Sequence, residues 1–250
     1  MHRALVAIGA LLVTLGIVVG VVTLLDDPDE RLPDLRQLSP GAISVTEVGG
    51  RHRLVFLSAV DNVGEAALVV QGRRASRSEE AMSVEQVVQR EDGSTRSYEV
   101  DGELRYVVSS THEHWHLLDF ERYSLVSADG AEVARDRKTG FCLGDRFNSG
   151  GARLPNEPPR AVWVGECGRG GRGLLSIEEG ISPGYGDDYV PTLEGQHLEL
   201  DGLPAGRYRL WHRVNPERML RESDYSNNAA SALLELSWSD GVPSVTVLEP

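Results

Sequence analysis

Lysine is nearly missing from this sequence of 250 residues. Of its 25 basic residues only one, Lys138, is a lysine, and the other 24 are arginine. An arginine-biased genome accounts for the loss of surface lysines, but the same drift would usually have replaced Lys138 as well. Lys138 therefore stands out as a candidate functional residue.

Positive charge and cysteine are also scarce. The 38 acidic residues outnumber the 25 basic ones and give a net charge of −13, which argues against a nucleic-acid-binding protein because such proteins carry a basic patch. The only cysteines, Cys142 and Cys167, allow one disulfide at most and no four-cysteine zinc site. The 40% hydrophobic content supports a full core and excludes wholesale disorder.

The longest uncharged run, Ala4 to Leu25, lies at the N-terminus. As a helix rising 1.5 Å per residue it would span about 33 Å, enough for a bilayer core of about 30 Å. It ends without a small-x-small cleavage site, which favours an uncleaved transmembrane anchor over a signal peptide. Arg3 on the short flank predicts a single-pass cell-membrane protein whose remaining chain is extracytoplasmic. Cleavage would instead give a secreted protein.

The rest of the chain has the turn pattern of a β protein. Polar residues 26–31 predict a linker, and residues 32–250 predict one domain. Short runs rich in Val, Leu and Tyr lie between Asp-Gly turns such as Asp92-Gly93 and Asp201-Gly202. The predicted fold class is all-β, a single β-sandwich-like domain with long loops, preceded by the N-terminal transmembrane helix.

Individual segments are predicted from their hydrophobic period. Short runs rich in Val, Leu and Tyr predict strands over Arg53 to Val60, Leu104 to Ser109, Gln196 to Leu200 and Gly206 to Val214. In the last of these, side chains also alternate with the period of two that a strand requires. Ser78 to Arg90 could form a short helix instead. The longest loop, Gly144 to Gly173, contains five arginines, and a loop of that length is usually functional or mobile.

Three of the seven histidines fall within five residues, at His112, His114 and His116. On a strand these positions share one face, at about 6.5–7 Å between successive members, so three imidazoles can converge on one metal ion. Imidazole suits copper, zinc, iron or nickel, and the spacing does not choose among them. A three-histidine site leaves coordination positions open, which favours catalysis over a structural role. The strand is expected to continue from Asp119 to Leu125.

Several ordered motifs resemble the lysyl oxidase family. The His-x-His-x-His segment, followed by Asp-Phe and Tyr-x-Leu, resembles that family's copper-binding segment. The further matches, in order, are Leu32-Pro33-Asp34-Leu35, Lys138-Thr139-Gly140-Phe141-Cys142-Leu143-Gly144-Asp145, Gly180 to Gly184, Asp187-Asp188-Tyr189 with Gln196, Val214-Asn215-Pro216 and Glu222 to Asn228. The resemblance covers residues 32–237, although the animal enzymes carry many more cysteines.

The resemblance implies a copper amine oxidase with a lysine tyrosylquinone cofactor. His112, His114 and His116 would be the copper ligands, and Lys138 and Tyr189 the cross-linked precursors of the quinone. Such an enzyme converts primary amines, peptidyl lysine or small amines, to aldehydes with dioxygen and releases ammonia and hydrogen peroxide. An amine nucleophile explains why Lys138 cannot drift to arginine, since a guanidinium stays protonated.

Three further site predictions complete this hypothesis. Asp187 is the candidate catalytic base, although a turn-stabilising aspartate would look the same. The oxygen-rich run with Glu222, Asp224, Asn227 and Asn228 suits calcium, and the resemblance adds Asp34 and the Leu35 carbonyl to that set. In an oxidising compartment Cys142 and Cys167 are expected to form a disulfide.

Two other classes remain open at this stage. A non-catalytic, extracellular metal-binding β-sandwich module, acting in adhesion or binding, would keep the fold and the calcium loop without a cross-link. A zinc hydrolase would use the three histidines but leave Lys138 and Tyr189 unexplained.

Overall fold

The structure is a computed structural model that describes residues 29–109, 112–136 and 140–250. The described residues form strands, turns and loops, with no helix among them. Eighteen strands assemble into three sheets in these ranges, and every strand pair between them is antiparallel. The all-β part of the predicted fold class is therefore confirmed.

The first sheet has seven strands and carries the histidine segment. Its order is β11-β8-β7-β6-β5-β13, with β1 beside β6. The strands are β1 (Glu30–Arg31), β5 (Leu68–Arg73), β6 (Ala81–Arg90), β7 (Thr95–Val108), β8 (Glu113–Leu118), β11 (Gly140–Phe141) and β13 (Ser176–Ile181). The two residues of β1 lie in the predicted linker.

The second sheet has five strands in the order β10-β9-β16-β17-β18. They are β9 (Glu121–Ser127), β10 (Glu132–Arg135), β16 (Gly206–Val214), β17 (Ala229–Ser239) and β18 (Val242–Glu249). In β16 the buried residues Tyr208, Leu210, His212 and Val214 alternate with partly or fully exposed ones, which is the expected half-buried pattern.

The third sheet has six strands built around β4, which pairs with β2, β3, β14 and β15. Its strands are β2 (Leu35–Gln37), β3 (Gly41–Val48), β4 (Arg51–Asn62), β12 (Phe147–Asn148), β14 (Tyr185–Tyr189) and β15 (His197–Glu199). Side chains of all three sheets meet in one core that includes Phe56, Leu117, Phe141, Leu210 and Leu234.

Two local predictions were wrong. The possible helix over Ser78 to Arg90 is strand β6, because Met82, Val84, Gln86 and Val88 are buried with the period of two that a strand requires. The histidine strand does not continue to Leu125, because the chain leaves β8 at Asp119, whose φ is 56°, and enters β9 in another sheet.

The predicted transmembrane helix over residues 1–25 lies outside the described residues. Within the described ranges there is no helix that is long and apolar enough to cross a membrane, which would take about 20 consecutive apolar residues. For the described residues the predicted fold class is therefore corrected to all-β with no transmembrane helix. The same finding contradicts the predicted single-pass cell-membrane location, and membrane contact through a helix has no support among the described residues.

The predicted disulfide is present between Cys142 and Cys167, whose Cα atoms are 5.7 Å apart. The two cysteines are separated by 25 positions in the sequence. On the chain-entropy model, closing a loop of that size stabilises the fold by about 3 kcal/mol. It fixes the end of the long Gly144–Gly173 loop beside β11. The same loop end is bound to β8, because the Trp115 amide donates to the Cys167 carbonyl at 2.9 Å.

Candidate active site

Strand β8 places the histidine side chains. Its alternation sends His114 and His116 to one face and Trp115 to the other, and His112 precedes the strand on the same side. One ring nitrogen from each of the three histidines lies within 4.8 Å of those of the other two. All three residues are buried, with 5–7% of their surface exposed. The predicted histidine cluster is therefore brought together.

The opposite face of β8 is tightly held. Trp115 is fully buried, and its indole nitrogen donates to the Gly171 carbonyl at 3.1 Å. The Arg74 guanidinium lies 4.7 Å from the centre of the Trp115 ring, and the Tyr106 ring packs against its edge. These contacts fix the strand, and a fixed strand fixes the directions of the histidines.

The electrostatics of the cluster favour a neutral His114 imidazole. Burial, and then the charge of His112 and of Arg169, lower the pKa of His114 to about 4. His114 Nε2 lies 2.7 Å from His116 Nε2, and His114 Nδ1 is buried without a hydrogen-bond partner among the described residues. Neutral ring nitrogens with unused lone pairs are metal ligands, so this residue set fits a transition-metal ion.

A cavity of about 160 Å³ joins the histidines to the other predicted site residues. Its lining comprises His112, His114, His116, Gly140, Cys142, Arg146, Arg169, Asp187, Asp188, Tyr189 and Leu193. Gly140 must be a glycine here, because an added Cβ would lie 2.6 Å from the Cβ of His116. Lys138 lies outside the described residues.

Tyr189 and Asp187 reach the cavity from β14, where positions two apart share a face. The Tyr189 hydroxyl donates to Asp187 Oδ2 at 2.7 Å, and the Gly144 amide donates to the same oxygen at 3.1 Å. Arg146 Nε lies 3.7 Å from Asp187 Oδ1. Burial raises the pKa of Asp187 to about 7 despite these favourable partners, and burial also raises the pKa of Tyr189.

Two buried acids near this pair were missed in the sequence. Glu179 accepts a hydrogen bond from the Leu143 amide at 3.1 Å, and the next amide along the chain, that of Gly144, binds Asp187. Burial, reinforced by the charge of Asp187, raises the pKa of Glu179. The Glu179–Asp187 pair therefore holds the backbone just after Cys142.

The second missed acid is Glu121, which is 2% exposed. Its Oε2 accepts hydrogen bonds from the Ser58 hydroxyl at 2.7 Å and from the Tyr123 hydroxyl at 2.8 Å. The strand period was the available signal, since Glu121 shares its face of β9 with the buried Tyr123 and Leu125. Glu179 had a weaker signal, because the buried residues of β13 are consecutive.

The predicted calcium residues meet where the start of the domain contacts its end. Asn227 Nδ2 donates to Asp34 Oδ1 at 2.7 Å, and Asn228 Nδ2 donates to Glu222 Oε1 at 2.8 Å. The Leu35 amide donates to Glu222 Oε2 at 2.8 Å. Four of the predicted residues, Asp34, Glu222, Asn227 and Asn228, thus lie together through side-chain contacts, and Leu35 joins them through its N–H.

The side-chain oxygens at this second site differ in whether they accept hydrogen bonds. Asn227 Oδ1 and Asn228 Oδ1 are buried without a hydrogen-bond partner among the described residues, and burial raises the pKa of Glu222 to about 7. Asp224, in contrast, binds the amide and hydroxyl of Ser226 in its own turn, at 2.7 and 2.9 Å. Orphaned amide oxygens beside a desolvated carboxyl are suited to a hard cation.

Comparison with known proteins identifies a family. The lysyl oxidase family model matches residues 85–242, more than half of the chain. Lysyl oxidase homolog 3B of Danio rerio is 31% identical over 129 residues, which are 51% of this chain and 14% of that protein. Lysyl oxidase homolog 1 of Homo sapiens is 31% identical over 121 residues, covering 48% of this chain and 18% of that protein. The chain thus matches less than a fifth of each relative's length.

Replacing His114 by Ala should weaken copper binding by more than about 100-fold, because losing a ligand should exceed the 10–100-fold cost of losing an outer contact. Equilibrium dialysis of the protein against copper, with the metal counted per chain, measures this change. His52→Ala is the control, since His52 lies outside the cavity and contacts Asp201. Equal copper affinity in wild type and His114→Ala would contradict the assignment of the cluster as a metal site.

Proposed function

The chain belongs to the lysyl oxidase family, and on that premise we propose that it is a copper- and quinone-dependent amine oxidase. The reaction takes a primary amine, dioxygen and water to an aldehyde, ammonia and hydrogen peroxide. Family membership supports an amine oxidase activity in general terms. The observation that carries the finer proposal is the single cavity lined by three buried histidines, Tyr189 and Asp187.

The residues that line the cavity fit the copper ion and the quinone cofactor that the family implies. His112, His114 and His116 would hold copper, and Tyr189, whose ring lines the same cavity, would supply the quinone ring once joined to Lys138. Copper would support oxidation of the tyrosine ring by dioxygen, and the quinone would supply an electrophilic carbonyl for the substrate amine. We propose residues 32–250 as the catalytic domain.

Asp187 is proposed as the group that accepts protons. It already accepts the Tyr189 hydroxyl proton in a hydrogen bond, and a base is most effective when its pKa is close to the working pH. Burial provides that match by raising the pKa of Asp187 to about 7. The Gly144 amide holds the Asp187 carboxyl in place. Glu179 in turn binds the preceding amide, that of Leu143, and so fixes the same stretch of backbone.

Arg146 and Arg169 give the cavity a positive component within a chain of net charge −13. Nearby positive charge lowers the pKa of an amine. A substrate amine that enters beside these guanidinium groups therefore loses its proton more easily, and only the neutral amine is a nucleophile. Since Asp187 and Asp188 also line the cavity, this effect is confined to an amine that lies beside the guanidinium groups.

The alternative classes explain less. A non-catalytic binding module gives no reason for the buried Tyr189–Asp187 pair to share a cavity with three histidines, and the family comparison does not favour it. A zinc hydrolase leaves Tyr189 and Lys138 without roles.

We also propose that Asp34, Glu222, Asn227 and Asn228 bind calcium, with Asp224 and the Leu35 carbonyl as the remaining predicted ligands. The support is the contact between Asp34 and Asn227 together with the orphaned Asn227 and Asn228 oxygens. Calcium takes six to eight oxygen ligands. An ion here would connect β2, near the start of the domain, to the segment before β17.

Millimolar calcium should raise the melting temperature of the wild-type protein relative to protein in chelator, because an ion that binds only the folded state stabilises it. At 100 times the dissociation constant the gain is about 2.7 kcal/mol, or roughly 5–10 °C for a domain of this size. Glu222→Gln should abolish the calcium-dependent rise, whereas the exposed control Glu235→Gln should keep it. A rise of equal size in Glu222→Gln would exclude this site.

Lys138→Arg should abolish amine-dependent hydrogen peroxide release by copper-loaded protein, because arginine keeps the positive charge but lacks a nucleophilic amine. A peroxidase-coupled assay with butylamine measures the product. The variant's copper content provides the control, since its three histidines are intact. Peroxide release at the wild-type rate from Lys138→Arg would refute the proposed cofactor.

The kcat at saturating small amine, which does not depend on the protonation of the free amine, should rise with pH through about 7, because Asp187 accepts a proton only when its carboxyl is ionised, above its raised pKa. Asp187→Asn should lose this rise and reduce kcat by about 10²–10⁴-fold. Asp188→Asn is the matched control, since Asp188 also lines the cavity but its pH profile should keep the rise. If the Asp187→Asn profile still rises through pH 7, another group is the base.

A further inference from the structure

A second, larger depression of about 870 Å³ lies next to the catalytic cavity, and we call it the outer groove. Its lining comprises Ser44, Val45, Thr46, Val48, Arg53, Val55, residues 191–195 and His197. Leu193 belongs both to this lining and to that of the catalytic cavity. The two spaces therefore lie on either side of one residue and are neighbours.

The floor of the outer groove is the exterior face of three paired strands. Ser44 of β3 and His197 of β15 both pair with Val55 of β4, so their side chains form one row across the sheet. Leu54 and Leu198, one position along, point the other way and are buried. The floor is thus a sheet face that no other strand or sheet covers in the described chain.

The wall of the outer groove comes from the segment that directly follows β14. Tyr189 ends that strand, and Pro191 to Gly195 form the wall two residues later. A molecule lying against the wall therefore contacts a segment that begins two residues after Tyr189 in the chain. The floor strands β3 and β4 lie before residue 85, outside the region that the family model matches.

The lining is mainly apolar or hydroxylic, in contrast to the acidic chain as a whole. Val48, Val55, Pro191 and Leu193 provide apolar surface, and Val48 is 50% exposed. The Arg53 side chain is neutralised by Glu199, with Nε and Oε1 3.1 Å apart. Apart from the Glu194 carboxyl in the wall, the surface therefore offers little net charge to select a ligand.

We propose that the outer groove binds the polypeptide that flanks the oxidised lysine and prefers uncharged, apolar neighbours of that lysine. A small free amine fits the cavity of about 160 Å³ without touching the floor strands. From Ser44 to Val48 the floor extends about 13 Å at 3.3 Å per residue, which matches about four residues of an extended peptide. The proposal rests on the amine oxidase function for the position of the lysine.

The test compares a lysine peptide with valine and leucine neighbours, acetylated at its N-terminus, with butylamine. In the double variant Ser44→Glu, Val48→Glu, the ratio of kcat/KM for the peptide to kcat/KM for butylamine should fall about 10-fold, as for a disrupted apolar subsite. The same peptide with arginine neighbours should regain activity on this variant. Ser97→Glu, Val242→Glu adds equal charge at exposed positions outside the groove and should keep the wild-type ratio.

Binding of the fluorescein-labelled peptide, measured by anisotropy without dioxygen, separates this proposal from the proposed function. Binding that weakens in Ser44→Glu, Val48→Glu but not in the control supports the groove, even if neither substrate is oxidised. Butylamine oxidation with equal peptide affinity in all three proteins overturns the groove and leaves the amine oxidase intact. Wild-type affinity that falls steeply with salt would also overturn it, because an apolar site is only weakly screened.

Discussion

The rest of the site depends on the alternation of side chains along one buried strand, β8. That alternation sends two imidazoles into the cavity and the Trp115 indole into the packing behind them. Burial lowers the pKa of His114 to about 4 and so keeps this imidazole neutral, and it also leaves His114 Nδ1 without a partner among the described residues. An unsatisfied buried polar atom costs about 1–3 kcal/mol, and a bound metal ion would offset that cost across the cluster.

Segments that are distant in sequence complete the cavity around this strand. The Cys142–Cys167 disulfide fixes both ends of the Arg146-containing loop, and the Glu179 and Asp187 carboxyls bind the consecutive amides of Leu143 and Gly144. Strand β14 then supplies Tyr189 against the same backbone. Desolvating these acids is costly for folding, but the cost leaves Asp187 with a pKa near neutrality, where a proton acceptor is useful.

The sequence predicted elements whose periodicity agrees with their packing. Strand β16 has the predicted bounds, Gly206–Val214, because its buried residues alternate without interruption. Strand β6 was confused with a helix because short apolar runs are ambiguous. The break at Asp119 depends on a single left-handed residue, and the burial of Glu179 depends on a loop 36 residues earlier in the chain. The local sequence pattern therefore encodes neither the break at Asp119 nor the burial of Glu179.

We propose that Lys138 and Tyr189 form one cofactor beside a copper ion. The most direct test is peptide mapping by mass spectrometry after copper loading in air, with His114→Ala protein treated in the same way. We expect one cross-linked species that contains both residues in the wild type and separate, unmodified peptides in the variant. Separate, unmodified Lys138 and Tyr189 peptides from fully copper-loaded wild-type protein would contradict it.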